Sequence, residues 1–110
     1  MENTAENVRA QMRKGMLEYC ILSILDKREA YASVIIDDLK SVGMIVVEGT
    51  LYPLLIRLKN QGLLAYRWEE STQGPPRKYY VITDKGREQL AEMDAAWREL
   101  VETIETLKRV

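Results

Sequence analysis

The chain has 110 residues, of which 46% are hydrophobic and 30% charged, a composition that indicates one globular domain and excludes disordered and collagen-like classes. Its formal net charge of -1 excludes a strong whole-protein attraction to nucleic acid, although residues 49–80 alone carry five cations against two anions. One cysteine and no histidine exclude an internal disulfide and any His-based zinc site or catalytic triad.

The sequence predicts two helices in the first 40 residues. Apolar residues recur at helical spacing over residues 5–26, which predicts one long helix there. Gly15 falls inside it, at a cost of about 1 kcal/mol relative to alanine. A second helix is predicted from about Tyr31 to Lys40, and Gly43 suits the left-handed residue that often follows a helix end.

The third helix is predicted within GTLYPLLIRLKNQGLL, residues 49–64. Four leucines recur at i, i+3, i+4 and i+7 and form a stripe for packing on the core: Leu51, Leu54, Leu55 and Leu58. Pro53 falls in the first turn, where a missing N–H costs little, and Gly62 ends the helix. Polar residues lie largely off this stripe.

A β-hairpin and a long helix follow. Two runs of strand-forming residues, 64–69 and 78–83, flank the turn-rich segment 71–76, so they predict a hairpin. The final helix is predicted from residue 84 to the end, with Thr83 or Asp84 as its N-cap. Its apolar residues alternate at spacings of three and four, the pattern of a coiled-coil seam that needs another helix to cover it: Leu90, Met93, Trp97, Leu100, Ile104 and Leu107.

This order of elements predicts a mainly α fold with a small β-hairpin. Three helices, a hairpin and a long helix are typical of a winged helix-turn-helix, in which the third helix enters the DNA major groove and the hairpin, or wing, lies beside it. We therefore expect a winged helix-turn-helix DNA-binding domain at 1–83, including the N-terminal helix, and a C-terminal dimerisation helix at 84–110.

The polar side chains of the third helix and the wing have the chemistry of DNA contacts. Arg and Lys neutralise phosphate or donate to guanine, Asn pairs with adenine, and Tyr donates to phosphate. The candidate DNA-binding residues are Thr50, Tyr52, Arg57, Lys59, Asn60, Arg77 and Lys78. The alternative is that these are ordinary solvated residues on a winged-helix module that docks protein and does not bind DNA.

Two separate motifs resemble PadR-like transcriptional regulators, and the resemblance covers about residues 12–100. The segment GTLYPLL with Arg57 and Gly62 is similar to the family's recognition helix, and GPPRKYY followed by Ile82 and Thr83 is similar to its wing. One departure is that Val46-Val47-Glu48 precedes the helix where family members often have Ser, Asn or Pro. A good N-cap side chain contributes about 1 kcal/mol.

The resemblance implies a dimeric, DNA-binding repressor. We expect such a dimer to bind a palindromic operator, with one recognition helix in each half-site. Family subunits associate through the first and last helices, and a single helix after the wing is similar to the small class. Some small members bind flat aromatic or drug-like effectors at the dimer interface. The residues expected at this interface or effector pocket are Trp97, Met93, Leu100, Met12 and Met16, and Trp97 either stacks on a ligand or only packs the dimer.

No cofactor, metal or enzymatic activity is expected. The sequence has no Gly-rich phosphate loop and no metal-ligand set, and its carboxylates are scattered among charged partners. No apolar run is long enough to span a bilayer, and the N-terminal residues lack an apolar signal core. We therefore expect a cytoplasmic protein without a membrane partner.

Overall fold

A computed structural model describes residues 4–71 and 74–110. It is mainly α with one antiparallel hairpin, which confirms the expected fold class. Thr72 and Gln73, in the middle of the predicted turn, lie outside the described residues. The elements in chain order are α1 (Thr4–Arg13), α2 (Leu17–Lys27), α3 (Ala32–Ser41), α4 (Glu48–Asn60), β1 (Leu64–Ser71), β2 (Gly74–Ile82) and α5 (Asp84–Arg109).

The prediction of one helix over 5–26 is wrong, because Gly15 separates α1 from α2. Its φ of 88° lies in the left-handed region, which glycine enters at little steric cost. The two helices also differ in what they bury: the side chains described in α1 are exposed apart from half-buried Arg13, whereas α2 contributes Ile21, Leu22 and Leu25 to the core. Helical spacing alone did not reveal that the part of the pattern before Gly15 packs against little else in the chain.

The core lies among α2, α3, α4 and the base of the hairpin. Leu51, Leu55 and Leu58 are fully buried and Leu54 is half-buried, which confirms the predicted inward stripe of α4. The other large buried residues come from every neighbouring element: Ile21, Leu22, Leu25, Ile35, Leu39, Leu63, Leu64, Tyr80, Ile82 and Leu90. This packing fixes which faces of α4 remain outside.

The hairpin is longer than predicted and is tied to the helices at its base. Leu64 pairs with Ile82, Tyr66 with Tyr80, and Trp68 with Lys78. Ala30, in the α2–α3 connection, exchanges two backbone hydrogen bonds with Tyr80, at 2.8 and 3.1 Å. The base of the hairpin therefore has a third strand-like neighbour, while its outer half projects from the domain.

The start of α5 is bonded to the end of α4. The Thr83 hydroxyl accepts a hydrogen bond from the Gly86 N–H at 3.0 Å, which confirms Thr83 as N-cap, and donates to the Gly62 carbonyl at 2.7 Å. Lys85 donates to the Gln61 carbonyl at 2.9 Å. Leu90 is the last buried residue of α5. Across the described parts of the chain, no helix is long and apolar enough to cross a membrane.

Candidate nucleic-acid interface

Helix α4 has two exposed flanks, and the predicted DNA-binding residues are divided between them. Tyr52 borders the hairpin side, while Thr50 and Arg57 border the side of α1 and α2. Tyr52 and Arg57 are five residues apart, which separates them by about 140° around a helix of 3.6 residues per turn. The outermost side of α4 carries Asn60 and Ile56, and the Ile56 side chain is 53% exposed.

The helix begins without a side-chain cap, as the Val46-Val47-Glu48 departure suggested. Val47 occupies the N-cap position in an extended conformation and makes no capping hydrogen bond. Glu48 supplies an acidic group in the first turn, where a negative charge favours the helix dipole. The absence of a capping side chain leaves this end of α4 stabilised by packing and by charge.

A groove of about 440 Å³ lies between the hairpin and the first turns of α3 and α4. We call it the wing groove. It brings together three predicted residues, Tyr52, Arg77 and Lys78, although they are distant in sequence. Its other lining residues are Tyr31, Ala32, Ser33, Glu48, Trp68, Pro76 and Tyr80. Tyr31 and Ser33 were not selected from the sequence, where no local motif marks the start of α3 as part of the interface.

The cations of the wing groove and its edge rest on aromatic rings. Lys78 Nζ lies 4.6 Å from the Tyr66 ring centroid and 5.5 Å from that of Trp68. Arg77 Cζ lies 5.6 Å from the Tyr31 ring. Neither cation forms an ion pair with a carboxylate among the described residues. Contacts with ring faces restrain a cation while leaving N–H groups free to donate, an arrangement suited to binding phosphate.

Lys59 extends this cationic edge along α4. Its Nζ lies 5.8 Å from the Tyr66 ring, on the same face of the hairpin as Lys78. Among the described residues that line the wing groove, Glu48 is the one anion, against the cations Arg77 and Lys78. The local balance is therefore positive in a protein whose overall charge is -1.

The opposite flank of α4 faces a different groove, of about 720 Å³, between α1, α2 and the α3–α4 turn. Thr50 and Arg57 line it together with Leu17 and Leu54. Arg57 Nε lies 3.3 Å from a carboxylate oxygen of Glu18. Arg57 is thus partly neutralised, unlike the cations of the wing groove.

Arg67 belongs to the basic segment 49–80, but it forms ion pairs with carboxylates of the protein itself. It donates to Glu29 at 3.0 Å and to Glu69 at 2.8 Å, and its Cζ lies 4.5 Å from the Tyr79 ring centroid. The hydrogen bonds to Glu29 and Glu69 raise the pKa of Arg67 above its ordinary value. Its charge is therefore internally compensated.

The seam of α5 is uncovered beyond its first turns. Met93 packs against the core, but Trp97 is 46% exposed, and Leu100, Ile104 and Leu107 are exposed as well. On α1, Met12 is 72% exposed, and the nearby Met16 is half-buried. Tyr19 of α2 donates to Asp94 of α5 at 2.5 Å, which joins the long helix to the core just before the exposed seam begins.

Comparisons with known proteins agree with the fold and its motifs. The model of the transcriptional regulator PadR-like family matches residues 21–92. A PadR-like transcription factor from Bacteroides fragilis is 63% identical, with 92% of this chain and 98% of that chain covered and a TM-score of 0.80. A PadR family regulator from Eggerthella lenta is 36% identical, with coverage of 94% and 91% and a TM-score of 0.88. A PadR-like regulator from Bacillus cereus is 43% identical, with coverage of 88% and 95% and a TM-score of 0.78.

Proposed function

Because the chain belongs to the PadR-like family of transcriptional regulators, which are not enzymes, we propose that it is a repressor that binds a palindromic DNA operator as a homodimer. The observation that carries this proposal is the wing groove, where Arg77 and Lys78 rest on aromatic rings beside α4 without carboxylate partners among the described residues. Such a protein would act where the DNA is, in the cytoplasm.

The wing groove is suited to one strand of the DNA backbone. Arg77 and Lys78 would neutralise phosphates, and the hydroxyl groups of Tyr52 and Ser33 would donate to phosphate oxygens. The start of α3 adds amide N–H groups that have no partner within the helix. These contacts position the protein and carry no base information.

Base reading falls to the outer side of α4. With Leu51, Leu55 and Leu58 inside, the helix can enter the major groove with Asn60 and Lys59 available to base edges and Ile56 to thymine methyl groups. Thr50 and Arg57 would then meet the backbone on the opposite wall of the groove. Arg57 is the weaker contact, because it must leave Glu18 to reach a phosphate.

Dimerisation would cover the α5 seam. Residues 84–110 would pair with the same helix of a second copy through Trp97, Leu100, Ile104 and Leu107, which the single chain leaves exposed. The domain of residues 1–83 would then be presented twice, with two α4 helices reaching major grooves about one helical turn apart.

A small aromatic or drug-like effector would bind at this interface. Met93, Trp97 and Leu100 lie along the seam, and Met12 and Met16 would line the same pocket if α1 packs against the partner's α5. Exposed Trp97 supplies a stacking surface, and methionines adapt to varied apolar ligands. Quenching of Trp97 fluorescence by planar aromatic compounds tests the proposed effector binding. The measurement uses Trp68→Phe protein, so that the hairpin tryptophan contributes no fluorescence.

Binding to DNA upstream of the protein's own gene, measured by fluorescence anisotropy across a salt series, tests the main proposal. Arg77→Ala should weaken binding about tenfold on every duplex and reduce the magnitude of the salt slope by about 1, because one phosphate contact is lost. Lys40→Ala removes the same charge in the last turn of α3, outside both grooves and the α5 seam, and should change little. If no duplex binds with salt-dependent affinity, the protein-interaction module becomes the better explanation.

A further inference from the structure

The outer half of the wing needs support beyond its own ladder. An isolated two-stranded hairpin is marginally stable in water. Ala30 holds the base by its hydrogen bonds to Tyr80, but most of the side chains described in the outer half of the hairpin are exposed. A side-chain contact between the middle of the hairpin and the helices would therefore decide how the wing is directed.

Arg67 makes such a contact. It lies in the middle of β1 and reaches Glu29 in the α2–α3 connection, 38 residues away in sequence, at 3.0 Å. Glu29 immediately precedes Ala30, so the ion pair adds a second attachment beside the backbone pair with Tyr80. Tyr79, which is opposite Arg67 in the ladder, packs against its guanidinium at 4.5 Å.

The same contacts continue to the proposed phosphate ligand. The Tyr79 ring meets the Tyr31 ring edge-on at 4.7 Å, and Arg77 lies over the Tyr31 ring at 5.6 Å. Residues Glu29, Arg67, Tyr79, Tyr31 and Arg77 thus form a continuous series from the helical connection to the wing groove. Arg67 itself does not line that groove as described.

We propose that Arg67 and Glu29 form a wing clamp that holds the hairpin in its DNA-binding position, with Arg67 acting as a positioning residue and not as a phosphate ligand. This inference rests on the proposed DNA-binding function. Arg67 is bonded to two carboxylates, so a phosphate would have to displace both Glu29 and Glu69 to use it.

Neutralising Glu29 distinguishes between Arg67 as a phosphate ligand and Arg67 as a positioning residue, because the two roles predict opposite changes in DNA affinity. Neutralising an acidic residue near a DNA-binding face should strengthen DNA binding, because repulsion of phosphate falls and Arg67 keeps only Glu69 as a carboxylate partner. If Glu29 holds the clamp, neutralising it should weaken DNA binding despite the gain in positive charge. Coulomb attraction and wing positioning therefore predict opposite results for Glu29→Gln.

A double-mutant cycle on operator affinity tests the clamp. Glu29→Gln and Arg67→Gln should each weaken binding about fivefold, the size expected of an exposed but networked ion pair, and the double variant should be no weaker than either single variant. Glu70→Gln makes the same chemical change on the hairpin itself, at an exposed residue with no ion pair among the described residues, and should leave affinity unchanged or tighter. If Glu29→Gln binds DNA as tightly as the unmodified protein or more tightly, the clamp is overturned.

A second measurement, the fluorescence anisotropy decay of Trp68, tests the wing clamp without DNA. Trp68 adjoins Arg67 and is one of two tryptophans, so a Trp97→Phe background makes its anisotropy decay a direct probe of wing motion. Glu29→Gln and Arg67→Gln should each add nanosecond motion at Trp68, while Glu70→Gln should not. Unchanged decay in both clamp variants would overturn the inference even if DNA binds. Failure of the unmodified protein to bind any duplex would instead refute the proposed function, and the decay would still decide the clamp.

Discussion

Replacing Gly86 with alanine should destabilise the protein, against the expectation from helix propensity. Gly86 is the third residue of α5, where alanine would ordinarily favour the helix by about 1 kcal/mol. Here, however, a Cβ would lie 2.2 Å from the Leu63 carbonyl oxygen and 2.6 Å from Ile82 Cγ1. The sign of the stability change thus depends on whether these neighbours can move.

The Leu63 carbonyl is poorly able to move. It accepts a hydrogen bond from the Thr83 N–H at 3.1 Å, and the Thr83 hydroxyl lies at the same distance. Relieving the contact needs a shift of about 1 Å, and overpacking of this kind costs about 1–3 kcal/mol. Weakening the associated hydrogen bond and N-cap adds about 1–2 kcal/mol. After subtracting the propensity gain of about 1 kcal/mol, Gly86→Ala should cost about 1–4 kcal/mol.

Urea unfolding followed by far-UV circular dichroism at matched chain concentration would measure this cost. The urea midpoint should fall while the m value stays unchanged, and the melting temperature should fall by about 5–20 °C. Gly49→Ala is the control: it lies in the first turn of α4, where an added Cβ meets nothing within 4 Å. It should be neutral or slightly stabilising. A Gly86→Ala protein as stable as the unmodified chain would refute the inferred rigidity of the α4–α5 junction.

Three further changes test separate contacts. Thr83→Ala should cost about 1–2 kcal/mol in urea unfolding, because it removes both the α5 cap and the bond to Gly62, whereas Thr83→Ser should retain most of the stability. The hydrogen bond to Asp94 raises the pKa of Tyr19 above 10.0, so its contribution is complete below that pH and is lost as the pH rises further. Tyr19→Phe should therefore flatten the decline in stability above pH 10.0, and an unchanged decline would remove this assignment. Ile104→Asp should yield a monomer by sedimentation velocity and weaken operator binding while preserving the dichroism of the helices, and a persisting dimer would exclude the α5 seam as the interface.

The parts of the fold that the sequence predicted well are those in which burial imposes a repeat. The leucine stripe of α4 and the strand pairing required no knowledge of distant contacts, and Thr83 acts on its own helix. The break at Gly15 was not predicted, because it depends on contacts that the local sequence does not contain. A glycine within a helical pattern is tolerated or not according to what the preceding turns pack against, and that depends on the whole domain.

The candidate interface was predictable only in outline. Winged-helix topology brings Tyr52 beside Arg77 and Lys78, but the same reasoning grouped Arg57 with them. Counting five residues around the helix from Tyr52 would have placed Arg57 on the other flank. Its pairing with Glu18 could not be inferred in this way, because it depends on how α2 packs against α4.

The junction between α4 and α5 indicates how a ligand at the proposed dimer seam could affect DNA binding. Thr83 and Lys85 bond directly to carbonyls at the end of α4, and Gly86 packs against Leu63 without room for a methyl group. Helix α5 has 26 residues, a length of about 39 Å, and continues without a break from this junction to Trp97 and beyond. A change in the angle between two paired α5 helices would therefore carry each α4 with it and alter the separation of the two recognition helices. If the proposed effector binds at this seam, the response would need no rearrangement within residues 1–83. A substitution that loosens the junction should then reduce the effector's influence on operator affinity more than it reduces effector binding.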